Sequence, residues 1–142
     1  MDAFNFQKMW ENNPGIFLLI GFILFVGLIG KAKLFAKANL PMVAAFVPVW
    51  DVLVTLKMVG RPASHFFYLL IPGFNVYFAF KLLIEVAQSF GKNTVLDFIL
   101  VTIFNVFYVL NLGLAYNEEY LGPVFQLGSK EIEQRRSMLA YE

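Results

Sequence analysis

A chain of 142 residues with 59% hydrophobic and 15% charged side chains, 17 Phe and a mean hydropathy of +0.67 carries more apolar surface than a water-soluble domain of this size can cover. The net charge of +1 supplies no field for nucleic acid. Absence of Cys excludes disulfides, Cys-ligated metal and a Cys nucleophile, and a single His excludes a His-rich metal site or haem bis-ligation. The composition predicts an all-α integral membrane protein.

The chain starts MDAFNFQKMWENNPG, without the positive n-region of a cleavable signal. Trp10 falls at headgroup depth. Asn13 and Pro14 read as helix cap and first helical residue. Residues 12–30 carry no charge, which is 19 positions, and Lys31-Ala32-Lys33 then reads as stop-transfer. A helix crosses a bilayer core with roughly 20 apolar residues, so the first span is predicted at about 13–34. Gly15, Gly21 and Gly27 recur every six residues and form no single small-residue stripe.

Residues 38–50 form a shorter charge-free window of 13, broken by Pro41 and Pro48 and closed by Asp51. Windows of about 10–14 residues are more often re-entrant or interfacial than spanning. Two longer windows follow, 62–80 with 19 residues and 98–117 with 20. They predict spans at about 62–85 and 96–116, with a broken re-entrant or surface segment over 38–60. Four transmembrane helices are the alternative. Charge bias separates the two. With three spans and the N-terminus outside, eight basic residues are cytoplasmic (Lys31, Lys33, Lys37, Lys57, Arg61, Lys130, Arg135, Arg136), and Lys8 and Lys92 are outside. A fourth crossing leaves four inside and six outside. The prediction is N-outside, C-inside, with one membrane domain over 1–123 and a polar tail over 124–142.

One internal repeat stands out. Val47-Pro48-Val49-Trp50-Asp51-Val52 and Ile71-Pro72-Gly73-Phe74-Asn75-Val76 align at an offset of 24, each followed nine residues after its Pro by a Lys, Lys57 or Lys81. Phe104-Asn105-Val106 is a remnant without the Pro. Pro opens a helix turn, and Asp or Asn three residues on can satisfy freed backbone groups or bridge to a neighbouring helix. The pattern predicts two kinked elements packed together and held by Asp51 and Asn75. A polar site at mid-membrane depth, as transporters build from broken helices, is the functional counterpart.

The remaining polar residues have local accounts. Lys81 and Glu85 share a helix face four apart and read as an interfacial pair. Asn93-Thr94 and Asp97 read as a helix start. Asn105 and Asn111 are expected to bond to neighbouring helices, and His65 to sit at an interface. Gly128-Ser129 opens a short tail helix, with Glu131→Arg135 as an i,i+4 pair and Ile132, Arg136 and Leu139 on one face. A solvated tail and a cytoplasmic docking helix are both consistent with it. No nucleophile-elbow or phosphate-loop motif occurs. No residue is assigned to catalysis, cofactor or metal; the structural or partner candidates are Pro48, Asp51, Lys57, Pro72, Asn75, Lys81 and Glu85.

Taken in order, Lys37-Ala38, the Val-Pro…Asp motif at 47–51, Leu56-Lys57-Met58-Val59-Gly60-Arg61-Pro62, Ile71-Pro72…Asn75, Ser89-Phe90-Gly91-Lys92 and Tyr120-Leu121-Gly122-Pro123 resemble a small bacterial membrane domain of unknown function. That domain occurs alone and as an extension ahead of the catalytic region in Bacteroidota-type signal peptidase I. The resemblance runs from about Lys31 to Pro123 and departs in Asp51, where Asn is usual. It carries no catalysis, because the Ser/Lys dyad of that enzyme and its soluble domain have no counterpart in this sequence. It implies a bacterial inner membrane and a setting near protein export. The expected role is a non-catalytic accessory or scaffold subunit of a larger inner-membrane complex, with the Sec translocon or signal peptidase machinery and the lipid bilayer as partners. The alternative is a small transporter or ion-conducting oligomer using Asp51, Asn75, Lys81 and Glu85.

Overall fold

The computed structural model describes residues 6–139. The side chains of Trp10 and Leu139, for which depth and facing were predicted, lie outside the described residues. All regular structure among the described residues is helical. Seven α-helices run in order: α1 Phe6–Asn12, α2 Pro14–Lys37, α3 Pro48–Val59, α4 Phe74–Ser89, α5 Val95–Ile103, α6 Asn105–Leu114 and α7 Ser129–Leu139. Two 3-10 segments, Met42–Phe46 and Ala63–Leu70, precede α3 and α4.

Among the described residues, only α2 is long and apolar enough by itself to cross a membrane. Its 24 residues make a rod of about 36 Å, against a bilayer core of about 30 Å. It begins at Pro14 as expected, although Asn13 makes no side-chain cap bond. The predicted spans at 62–85 and 96–116 are not continuous helices. The first is a 3-10 arm, a turn at 71–73 and then α4. The second is bent by 114° between α5 and α6. A charge-free window records composition only, and two short arms joined by a turn satisfy it as well as one long helix.

The arms are hairpins with a common base. His65 and Tyr68 lie against Phe78, and Tyr68 also meets Phe74, so the 3-10 arm 63–70 runs back along α4. The Tyr108 hydroxyl donates to Asp97 Oδ1 at 2.8 Å and ties α6 to α5 across their bend. Met42–Phe46 packs on both α2 and α3. The C-terminal ends of α2, α3, α4 and α6 then converge. Lys37 reaches the end of α6, and the segment 115–127 lies across the ends of α3 and α4. There the Leu121 amide donates to the Ser89 carbonyl at 2.7 Å. The Val124 and Phe125 amides donate to the Val59 carbonyl at 3.1 and 2.9 Å. These bonds satisfy carbonyls that a helix end leaves unpaired. Gly60 makes this possible. It closes α3 in the left-handed conformation at φ 87°, and a Cβ on it would lie 2.6 Å from Pro123.

The Pro repeat marks helix starts rather than kinks within helices. Pro48 is in the first turn of α3, where its missing N–H costs nothing. The Asp51 amide donates to the Val47 carbonyl at 2.7 Å, and the Asn75 amide donates to the Ile71 carbonyl at 2.9 Å. The two copies thus make the same bond, from the Asp or Asn to the aliphatic residue before the Pro. The remnant Asn105 is the first residue of α6. Each aromatic-[Asp/Asn]-Val string opens the helix that returns to the base.

Packing divides α2 into two halves. None of its residues from Pro14 to Phe25 is buried, whereas Gly30, Ala32, Leu34 and Phe35 are. The buried half runs parallel to α6. Gly27 meets Val106 and Gly30 meets Leu110. A Cβ on Gly113 would lie 2.3 Å from the Gly30 carbonyl oxygen, so the two backbones touch at this crossing. The core gathers around Phe35, Leu56, Met58, Phe78 and Leu112 beside it.

Helix α7 is anchored to the base on one side and exposed over most of its remaining surface. Ile132 is 2% exposed, Arg135 Nη1 donates to the Pro123 carbonyl at 3.0 Å, and Arg136 reaches the Gly91 carbonyl at 3.5 Å. The expected Glu131–Arg135 pair does not form, because the Glu131 carboxylate accepts instead from the Gly128 amide at 2.8 Å.

Candidate functional site

Two carboxylates meet cations between the hairpins, in contrasting surroundings. Arg61, just past the end of α3, makes a two-pronged bond to Glu85 of α4. Its Nε donates to Oε2 and its Nη2 to Oε1, both at 2.5 Å. The guanidinium lies between the rings of Phe125 and Phe78, at 4.5 and 5.2 Å from their centres, and its Nη1 is 3.1 Å from His65 Nδ1. The side chains of Arg61 and Glu85 are 5% and 10% exposed. Paired on both prongs and covered by aromatic faces, this cluster fastens α4 to the base. Glu85 therefore pairs with Arg61 rather than with Lys81, which is exposed and enters no ion pair among the described residues.

The second pair joins Lys31 of α2 to Asp51 of α3, Nζ to Oδ2, at 2.6 Å. Here the side chains are 32% and 16% exposed, and Asp51 Oδ1 is buried without a hydrogen-bond partner. The pair borders a cavity of about 580 Å³ walled by α2, α3, α4 and α6 and by Leu69 of the second 3-10 arm. Leu24, Leu28, Val52, Leu82, Val86 and Val109 make most of its wall apolar, and Thr55 and Asn105 are its further polar members. The Thr55 hydroxyl is already committed to the Asp51 carbonyl at 2.8 Å.

Of the seven residues singled out in the sequence, the cavity takes in Asp51 alone. Pro48 and Pro72 set helix starts. Asn75 lies half-buried at its own hairpin turn, outside the cavity wall. Lys57 and Lys81 are exposed. Asp51 and Asn75 do not hold α3 to α4, since the Asp51 partner is Lys31. Nor does either Asn105 or Asn111 bond through its side chain to a neighbouring helix among the described residues. The start of α5 is as predicted: Thr94 and Asp97 form a reciprocal cap, with amide-to-side-chain bonds of 3.3 and 3.2 Å.

Three positioning features escaped the sequence reading. Lys31 looked like a stop-transfer charge, and its partner 20 residues on has no local signature. Lys37 puts its ammonium on the carbonyls of Leu112, Ala115 and Glu118 at 2.7, 2.6 and 2.7 Å, neutralising the negative end of α6. The Gly27–Gly30 pair, three apart and so on one face of α2, was the available signal for the α6 crossing. Lys92 is also placed anew. It pairs with Glu118 at 2.5 Å, on the same base as Lys37. Below α4, Tyr120 donates its hydroxyl to the Met58 carbonyl, and burial pushes that hydroxyl above the ordinary tyrosine range.

The profile of a family of unknown function, DUF5684, matches residues 43–123, more than half of the chain, and the chain belongs to that family. The matched stretch begins in the first 3-10 arm and ends in the segment that closes the base, so the family unit coincides with the hairpins; α2 and α7 lie outside it. No curated protein and no solved structure matches the chain.

Proposed function

We propose that this member of the DUF5684 family is a non-catalytic membrane subunit in which α2 crosses the bilayer and three hairpins dip into it from the Lys37 side. The observation that carries this is the apolar surface left open. Only 11% of the apolar window of α2 is buried, whereas a core helix of a soluble protein is mostly covered. The hairpin turns expose Phe46, Trp50, Phe67, Phe74, Phe104 and Phe107. Water would penalise that surface heavily; lipid or a membrane-protein neighbour would not.

Charge supports the same placement. Moving Lys92 to the face that holds Lys37 changes the count of basic residues from eight against two to nine against one, with Lys81 left out of both. The positive-inside rule makes that face cytoplasmic, with the N-terminus outside. Non-helical backbone at membrane depth is tolerated where protein covers it, and the 3-10 arms pack on α2, α3 and α4. The wide aromatic surface fits docking against a larger complex. The sequence resemblance favours a bacterial inner-membrane complex near the export translocon or signal peptidase. The test is a gentle-detergent pull-down of the tagged chain from native membranes, with mass spectrometry of the eluate. A stoichiometric set of larger membrane proteins is expected; recovery of the chain alone, or only as a homo-oligomer, would overturn the subunit role.

A further inference from the structure

We propose that the outward face of α4 is a docking surface for a transmembrane helix of a partner protein, and that Lys81 on that face pairs with a carboxylate of that helix. The inference rests on the subunit role above and names the chemistry of the neighbour. Phe74, Tyr77 and Lys81 share one side of α4, at successive spacings of three and four residues. All three are exposed, the two rings at 41% and 59%. Lys81 has neither an ion pair nor a side-chain hydrogen bond among the described residues.

Depth separates Lys81 from other unpaired lysines. It stands eight residues before Ser89, the base end of α4, a distance of about 12 Å. Lys33 and Lys57 also lack an ion pair among the described residues. They are four and two residues from the ends of α2 and α3, which is about 6 and 3 Å, and their stems can bring the charge to the base. The Lys81 stem covers only about half of its distance. It also starts in the opposite direction. The Cα–Cβ bond of a helical residue leans toward the helix N-terminus, and the N-terminus of α4 is the hairpin tip. With the hairpin in the bilayer, the ammonium lies beside apolar surface at membrane depth, where a lone charge is costly and calls for a partner of opposite sign.

The chain itself contains one such solution. Lys31 is six residues from the end of α2 and Asp51 eight residues from the end of α3, about 9 and 12 Å from the base. At that depth the two charges neutralise each other across 2.6 Å. No nearby carboxylate is left for Lys81, because Glu85, four residues on, is held by Arg61 through both oxygens. A lipid phosphate belongs at the level of the base, beyond the stem. A carboxylate on a membrane helix can be presented at any depth, and a helix laid over Phe74 and Tyr77 brings one to the level of Lys81.

The test puts the photo-crosslinker p-benzoylphenylalanine in place of Tyr77 in the full chain in native membranes, and mass spectrometry locates the adducts. With Lys81 present, the main protein adduct should fall on a membrane segment that has Asp or Glu within one helical turn. Lys81→Met should lower its yield about tenfold, the size of one charge-assisted hydrogen bond, and Lys81→Arg should keep it. Lys81→Glu should lose the adduct, and exchanging the carboxylate of the crosslinked segment for a lysine should restore it. Because the Lys81 ammonium holds no other part of the chain among the described residues, Lys81→Met should melt at the native temperature, which separates lost docking from lost fold. Adducts to lipid alone, an adduct segment without a carboxylate, or a yield unchanged in Lys81→Met would overturn the contact. If partners still co-purify with the native chain, the subunit role survives those results; a pull-down without partners overturns both.

Discussion

Arg61–Glu85 and Lys31–Asp51 are the same kind of contact with different consequences. Both join a cation to a carboxylate on a neighbouring helix, 24 and 20 residues apart. In the first, both carboxylate oxygens are bonded and two aromatic rings cover the guanidinium. Nothing is left over for a ligand, and the cluster acts as a fastener. In the second, one oxygen is bonded, the other is buried without a donor, and the two residues border a cavity. Completeness of hydrogen bonding, more than the presence of opposite charges, separates the two ion pairs.

The sharpest way to break the comparison is at the fastener. Glu85→Ala leaves the Arg61 guanidinium buried and unpaired and should cost about 3–5 kcal/mol, as for other severed buried pairs. Arg61→Met/Glu85→Met should recover most of that loss, because two apolar side chains remove the stranded charge. Thermal unfolding followed by circular dichroism in detergent reads both. A double variant as unstable as the single one would show that the pair carries more than its own neutralisation.

Next comes the α2–α6 crossing that brings Lys31 and the cavity wall together. Gly113→Ala puts a methyl against the Gly30 carbonyl and should cost about 1–3 kcal/mol, while Gly15→Ala, which meets nothing within 4 Å, should not destabilise. Equal effects at the two positions would remove the crossing from the account. At the open pair, Asp51→Asn should cost only about 1 kcal/mol, less than Glu85→Ala, because Lys31 has access to solvent at 32% exposure. If Asp51→Asn proved the more damaging, the contrast between the pairs would be reversed.

The smallest effect belongs to Tyr120. Its hydroxyl is held protonated by burial, against the opposing charge of Arg135, so its folded pKa lies above the unfolded one. The stabilisation is complete below the unfolded tyrosine value of about 10 and is lost as pH rises through the folded value. A melting temperature measured from pH 8 to 11 should fall toward the alkaline end in the native chain and less in Tyr120→Phe.

Much of this was legible in the sequence, for local reasons. Composition gave an all-helical apolar chain, Pro14 the start of α2, and Thr94 with Asp97 the start of α5. The repeat was visible, and its offset correctly paired Asp51 with Asn75 as equivalent positions. What failed were inferences that needed tertiary direction. The windows at 62–80 and 98–117 hold turns that composition does not register, at Gly73 and at Phe104. Lys81 was matched to Glu85 because they are neighbours on one helix, yet Arg61 lies across from Glu85 with a bidentate fork that a lysine lacks. Lys37 is 75 residues from the Leu112 carbonyl it meets, and Gly30 is further still from Gly113, beyond any periodicity.

The central claim is that the hairpins leave from and return to one face, with only α2 passing through. Because the chain contains no Cys, single cysteines can be introduced at Lys8, Lys57, Asn93 and Lys130 and labelled in sealed inverted and right-side-out membrane vesicles with a membrane-impermeant maleimide. Lys57→Cys, Asn93→Cys and Lys130→Cys should label from the same side and Lys8→Cys from the other. Labelling of Asn93→Cys from the side of Lys8→Cys would make 62–85 a true crossing and contradict the account.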